Sequence, residues 1–504
     1  MLIFRLITFY FTALFISFSS QANTAVSPLA NNTAEYAVER YSNDMIDSLA
    51  ELVTFNTVAI DGVKSTDNPV HIAFKAALKR QAEQLGLDYS DHGYVVIIGL
   101  GNSKERLGVI THGDIQPVDK SKWQKSPFEL DKTSEPGKLI ARGTEDDKGP
   151  ISTALYAMKA IQDKGIKLNK RIELYVYMAE ESDWGPLEEF IKHNSLPQTN
   201  ITIDAEYPVV TAEKGWGLLK FAFEKKSIKE KTPYISNFKG GFFASQIPED
   251  AKMVIKNATN DVVRTLRAVA QLDTEVDYKF DINSTELTIT ARGKSAHSSK
   301  PQEGINAITH LAKIAHVDGI KWPNNGAGSL VNFINANIGL GLEGKLFGNI
   351  AYSDDFMGPM TVSPTVIKQQ EKSIDVHINI RRPRGKSKEQ LLREVNAAFN
   401  QWQQEHQVAA TQLEHYVGNP FIQDNAPQTQ TLLDVFSHFT GIKDAKPIAI
   451  GGGTNSRLFP TAVSFGPSMP GKAYSGHSEH EFITVEQFKL NLKMYTAAFI
   501  ELAK

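Results

Sequence analysis

The stretches LGVITHGD (107–114) and RIELYVYMAEES (171–182) decide the fold. Each is a short apolar run, rich in β-branched or aromatic residues, that stops at acidic or histidine residues, the pattern of a buried strand. A third such run, YVVIIGL (94–100), precedes them, and between them Ile151, Leu155, Met158 and Ile161 recur at helical spacing behind Gly149-Pro150. Pro150 suits a first helical turn and Gly165 a helix end. This alternation of strand and helix predicts an α/β sheet covered by helices on both faces. Ligands of such sheets gather at the carboxyl ends of the strands.

Around TAEKGWG (211–217) the rhythm changes to strand pairs with long helices. Two strands are predicted within 278–292, a helix over 305–315, an alternating strand at SIDVHINI (373–380) and a helix over 388–405. After Asn419-Pro420 the first pattern returns, with a helix near 430–439, strands near Ile448 and 462–465, and a closing helix from Val485. The predicted organisation is an α/β unit in two parts, 23–217 and 419–504, interrupted by an α+β insertion over 218–418.

At 504 residues the chain exceeds one ordinary domain of roughly 150 residues. Its 41% apolar and 22% charged content is that of a soluble globular protein. With 54 basic against 57 acidic residues there is no large basic surface to neutralise phosphates, so nucleic acid is not expected as a partner and small molecules are. Cysteine is absent, which excludes thiolate nucleophiles, zinc–thiolate sites and disulfides. Any metal must then be held by His, Asp and Glu. At the N-terminus, Arg5, an apolar run over 6–18 and Ser20-Gln21-Ala22 form a secretory signal pattern, with residues 1–22 removed after Ala22. The run falls short of the roughly 20 residues of a membrane span. Export without cysteine suits a bacterial periplasmic or secreted protein, with no membrane attachment after cleavage.

Acidic and histidine residues fall repeatedly where a strand stops. THGD carries His112 and Asp114, RGTEDDKG carries Asp146 and Asp147, MAEES carries Glu180 and Glu181, and ITIDAEYP carries Asp204. Each alone has a plainer reading: a satisfied histidine, a helix N-cap at Asp146-Asp147, a solvated helix start, a turn before Pro208. Together they converge on one rim, where crowded carboxylates need a compensating charge. An all His/Asp/Glu set suits zinc or a similar divalent ion.

The series HGD, RGTEDDKGP, AEES, DAEYP and the late HSEHE resembles the aminoacylase and carboxypeptidase G superfamily of di-zinc metallopeptidases, and is most similar to its bacterial dipeptidase branch, from about residue 40 to the end. The resemblance implies a three-layer α/β/α zinc-peptidase catalytic domain with the α+β insertion as a lid. It implies two divalent metal ions, zinc the fitting choice, held by His112, Asp146, Glu181, Asp204 and His477, with Asp146 bridging through a cis peptide to Asp147. Asp114 would orient His112, and Glu180 would be the general base. GKSAHSSKP implies His297 as a transition-state donor, NIRRP implies Arg381 as the reader of the substrate carboxylate, and GGGTNSR implies that Gly451, Gly452 and Gly453 seat it through backbone amides.

The sequence departs from the family where His480 replaces an amide and where Ser245 stands for an asparagine. His480 thus rivals His477 on paper, Asp147 rivals Asp146, and Arg382 rivals Arg381. The activity implied is a metal-dependent dipeptidase acting on small peptides with a free C-terminal carboxylate. An N-acyl-amino-acid deacylase or carboxypeptidase would use the same motifs, and a binding protein without turnover would not need Glu180. Relatives that dimerise lend the lid histidine from a partner; an insertion of about 200 residues, roughly twice the size of theirs, can supply it within one chain, so a monomer is expected.

Overall fold

The computed structural model describes residues 26–229, 231–472 and 474–504; the expected export signal lies outside the described residues. The strand Arg106–His112 runs parallel to Arg171–Tyr177 on one side and to Thr199–Thr202 on the other. Its side chains alternate in destination: Leu107 and Val109 enter one apolar cluster and Ile110 another. The same period of two splits Arg171–Tyr177, with Ile172, Leu174 and Val176 on one face and Tyr175 and Tyr177 on the other. A pleated strand buried on both faces reads this way, as a continuous apolar run.

Helices Pro28–Leu52, Lys148–Asp163 and Val485–Ala503 pack against one another over the first face. Gly185–His193 covers the second through Leu187. The result is the α/β/α sandwich that the strand–helix rhythm implied. Pro28–Leu52 starts where Ser27 Oγ accepts the N–H of Ala30 at 3.2 Å with a proline in the first turn, a standard N-cap.

Across the sheet the order is Asp88–Asp91, Val95–Leu100, Arg171–Tyr177, Arg106–His112, Thr199–Thr202, Val463–Ser464, Val210–Glu213 and Phe421–Ile422, with Ile448–Ile450 also on Val210–Glu213. Val463–Ser464 lies parallel to Thr199–Thr202, so segments from before and after the insertion share one sheet. Val95–Leu100 is antiparallel to Arg171–Tyr177, which makes the sheet mixed.

The insertion forms a second, antiparallel sheet in the order Asp277–Asn283, Glu286–Arg292, Asp250–Lys256, Tyr234–Gly240, Thr361–Gln369, Ser373–Arg382, Gly215–Glu224 and Ala410–Gln412. Leu219, Phe221 and Phe223 from Gly215–Glu224 point into a single apolar cluster, alternating with Lys220 and Ala222. Helices Asn260–Leu272, Ala307–Ala315, Ala327–Asn337 and Lys388–His406 close that cluster, the last through Leu391, Val395, Phe399 and Trp402. Within the insertion Asp273, Glu275 and His310 also come close together. There Asp273 accepts from Tyr278 at 2.9 Å and His310 at 2.7 Å, a satisfied polar knot that ties the strand Asp277–Asn283 to a helix.

Candidate metal centre

His112 closes the strand Arg106–His112, and its Nδ1 donates to the carbonyl of Asp114 at 3.0 Å. That bond fixes the ring and leaves Nε2 as the outward nitrogen. Nε2 lies 2.9 Å from Asp146 Oδ1 and 3.7 Å from Asp204 Oδ1. The other oxygen of Asp146, Oδ2, lies 3.1 Å from His477 Nε2, and Glu181 Oε1 lies 2.8 Å from the same nitrogen. Two donor triads therefore share Asp146: His112, Asp146 and Asp204 form one, and Asp146, Glu181 and His477 the other, with donor atoms in each within 4.8 Å.

Asp146 precedes a cis peptide to Asp147, just ahead of the helix Lys148–Asp163. Asp147 stands at the N-cap position but makes no side-chain capping bond; its Oδ2 accepts from Thr111 Oγ1 instead. Asp114 is buried, and its carboxylate accepts the backbone N–H groups of Glu180 and Glu181, each at 3.0 Å. Asp114 Oδ1 lies 3.5 Å from His112 Nδ1 beside the carbonyl contact, so Asp114 faces the ring with both groups while its carboxylate also holds both glutamates.

Glu180 lines a cavity of about 90 Å³ together with Asp146, Glu181, Asp204, His297 and His477. Its buried Oε1 has no hydrogen-bond partner among the described residues. His297 comes from the insertion on Ala296–His297, paired with Gln246–Ile247, and its ring centre is 4.4 Å from that of His477. The backbone N–H of Ser299 donates to His297 Nδ1 at 3.2 Å. Nδ1 is thus an acceptor, and the proton of the neutral ring sits on Nε2. Burial, with His477 and Arg381 nearby, holds this imidazole well below its ordinary range, so it remains the neutral donor.

Buried charge explains the other titrations. Burial, with Asp204 and Glu181 adding to it, pushes Glu180 well up. Burial lifts Asp204 to about 6 although His112 opposes it. Burial would also raise Asp146, but the bonds from His112 and His477 hold it well below the carboxylate range. His477 rises to about 10 against the effect of burial, driven by Glu181 and Asp146. Four carboxylates share this space, and their charge is what raises the imidazoles of His112 and His477. A divalent cation would supply the same compensation, and imidazole nitrogen with carboxylate oxygen is a donor set that such an ion, zinc among them, would fit.

Arg381 is buried and held by Asn379 Oδ1 at 3.2 Å and Ser298 Oγ at 2.9 Å. Burial and Arg457 lower it to about 9, which leaves it cationic at neutral pH. Gly452 and Gly453 line the cavity of Glu180 and His297, while Arg381 stands outside that lining. Gly451 must be glycine, because a Cβ there would lie 2.3 Å from the carbonyl oxygen of Ser299. The rivals are drawn elsewhere. His480 is half exposed and 2.7 Å from Glu135. Arg382 donates to the carbonyls of Gly418 and Lys386 and to Asn419 Oδ1. Ser245 stays near the centre, 3.5 Å from Gln116 Nε2, which in turn donates to Glu181 at 2.7 Å.

Several residues here escape sequence reasoning. Tyr474 donates to Asp146 Oδ2 at 2.7 Å, and Gln246 from the insertion donates to the carbonyl of His477 at 2.8 Å. Glu481 is fully buried and accepts from Arg142 Nη1 at 2.9 Å and from the N–H groups of Gly143, Glu145 and Asp146 at 2.9 to 3.0 Å. Only Glu481 carried a signal, its place in HSEHE, and that signal gave register without a role.

Residues 108–501 match the family described as peptidase family M20/M25/M40. The Beta-Ala-Xaa dipeptidase of Lactobacillus delbrueckii subsp. lactis is 30% identical over 424 residues, 82% of this chain and 85% of its own length. Two solved structures share the fold. Human carnosine dipeptidase 1 has a TM-score of 0.58 at 14% identity, over 95% of this chain and 99% of that one. The di-peptidase Dug1p from Saccharomyces cerevisiae has a TM-score of 0.56 at 15% identity, over 93% and 98%.

Glu481→Ala is expected to cost about 3 to 5 kcal/mol of stability, since it leaves the Arg142 guanidinium buried without its anion, and to lower bound metal per chain. Denaturation and elemental analysis check both. Full metal content at unchanged stability would mean that the 143–146 loop holds its own shape.

Proposed function

Because this chain belongs to peptidase family M20/M25/M40 and is a metal-dependent peptidase, we propose that its two triads hold two zinc ions and that it hydrolyses unblocked dipeptides. The observation that carries the reading is Asp146 shared between two buried triads, with Glu180 beside them and one of its oxygens uncommitted. When bound, divalent ions in such a setting polarise a carbonyl and make hydroxide available near neutral pH.

Glu180 takes the proton of the attacking water and hands it to the leaving amine. Burial, with Asp204 and Glu181 nearby, raises its proton affinity. His297 donates from Nε2 to the oxygen on which negative charge develops, a contribution of about 3 to 4 kcal/mol for one such donor. Arg381 and the 451–453 loop receive the C-terminal carboxylate, and the small cavity excludes water around a short substrate. That His297 reaches His477 within one chain supports a monomeric enzyme. The apolar run over 6–18 behind Arg5 supports export of the enzyme to the bacterial periplasm.

Glu180→Gln should reduce turnover by several orders of magnitude with both metals retained. Joint loss of metal and activity would exchange the roles of Glu180 and Glu181. Dipeptides should be cleaved and tetrapeptides slowly or not at all. Amidation of the C-terminus should cause a large loss, because the guanidinium then faces a neutral group, and Arg381→Ala should erase most of that discrimination. Equal rates on dipeptides and their amides would remove Arg381 from the site, and faster cleavage of N-acetyl amino acids would make the enzyme a deacylase. Light scattering should give the mass of a single chain, and a concentration-independent dimer would contradict the internal supply of His297.

A further inference from the structure

Among the described acids that line the cavity, Asp146, Glu181 and Asp204 belong to the triads and Glu180 is the base, which leaves Glu206 without a part. Glu206 stands two residues beyond Asp204 on the short strand Ala205–Glu206, anchored by parallel pairing to Pro467–Ser468. Its carboxylate lies 2.9 Å from Lys300 Nζ, three residues beyond His297, and both side chains are under one-fifth exposed, at 19% and 18%. The ion pair thus joins the sandwich to the insertion at the cavity wall. Arg381 hangs on a different support: it bonds Ser298, while the neighbouring Arg457 and Glu213 brace Thr454 and the glycine loop.

An extended dipeptide is at most about 7 Å long. Gly452 and Gly453, on the proposed carboxylate seat, line the same cavity as Glu206, so a dipeptide held there by its carboxylate carries its ammonium into reach of the cavity wall, where a cation needs an anionic partner. The triad acids and Glu180 cannot serve without leaving their own tasks. A carboxylate has two oxygens and about four acceptor sites, so Glu206 can keep Lys300 and accept an ammonium as well.

We propose that Glu206 binds the free ammonium of the substrate, so that the site selects unblocked dipeptides over N-acyl amino acids; this rests on the dipeptidase reading above. Lys300 holds the carboxylate in place from across the boundary between the two units. A neutral acyl group in the same position gains nothing from Glu206.

The test compares Ala-Ala with N-propionyl-alanine, which keeps the scissile bond and the shape but lacks the ammonium, on the zinc-loaded full chain. Wild type should prefer Ala-Ala. Glu206→Gln should lose about 10- to 100-fold in kcat/KM on Ala-Ala, the range for a hydrogen bond to a charged partner, mainly through KM. Its kinetics on N-propionyl-alanine and its zinc content should stay unchanged. Glu206→Asp, which retains the charge, should lose less of the preference and serves if the glutamine variant does not fold. A wild type that prefers N-propionyl-alanine overturns the dipeptidase reading and this inference with it. A wild-type preference for Ala-Ala that persists in Glu206→Gln, or a parallel loss on both substrates, overturns the role of Glu206 alone.

Discussion

The buried carboxylate of Glu481 is the contact on which the site depends. It gathers three amides of one loop, from Gly143, Glu145 and Asp146, together with the guanidinium of Arg142. A carboxylate removed from water is stable only with such partners. The donors belong to one loop and the acceptor sits four residues beyond His477, so this single group joins segments more than 300 residues apart. Asp146 and His477 lie 3.1 Å apart across that junction.

A second set of contacts ties the insertion to the centre. His477 adopts a left-handed backbone, φ 62°, unusual for a residue with a Cβ, and its carbonyl is held by Gln246 from the insertion. His297 and Lys300 come from the same side, and Lys122 reaches back from the sandwich to Glu249 at 2.7 Å. The position of the insertion therefore bears on His477, a member of one triad, as well as on the cavity wall at His297 and Lys300.

Much of this was legible in the sequence because the strands that carry the donors are buried on both faces, so they read as apolar runs ending in His112, in Glu180-Glu181 and before Asp204. Their order then matched a family pattern closely enough to name every member of both triads. What did not read out has physical reasons. The strand Asp88–Asp91 is polar and largely exposed, so it carries no apolar alternation. The helix Pro28–Leu52 buries Ala30, Thr33, Ala34, Ala37 and Ser42 as well as larger residues, and so small a buried face gives a faint stripe. Tyr474, Gln116 and Gln246 act through contacts between segments distant in the chain, and nothing local distinguishes them. Asp114 was placed correctly beside His112, yet the greater part of its work is on Glu180 and Glu181, which only the fold brings to it.

The most direct test of the account is anomalous diffraction at the zinc edge from crystals of the zinc-loaded enzyme. The shared carboxylate predicts two peaks, one among His112, Asp146 and Asp204 and one among Asp146, Glu181 and His477. A single peak, or a second one beside Asp147 or His480, would contradict it.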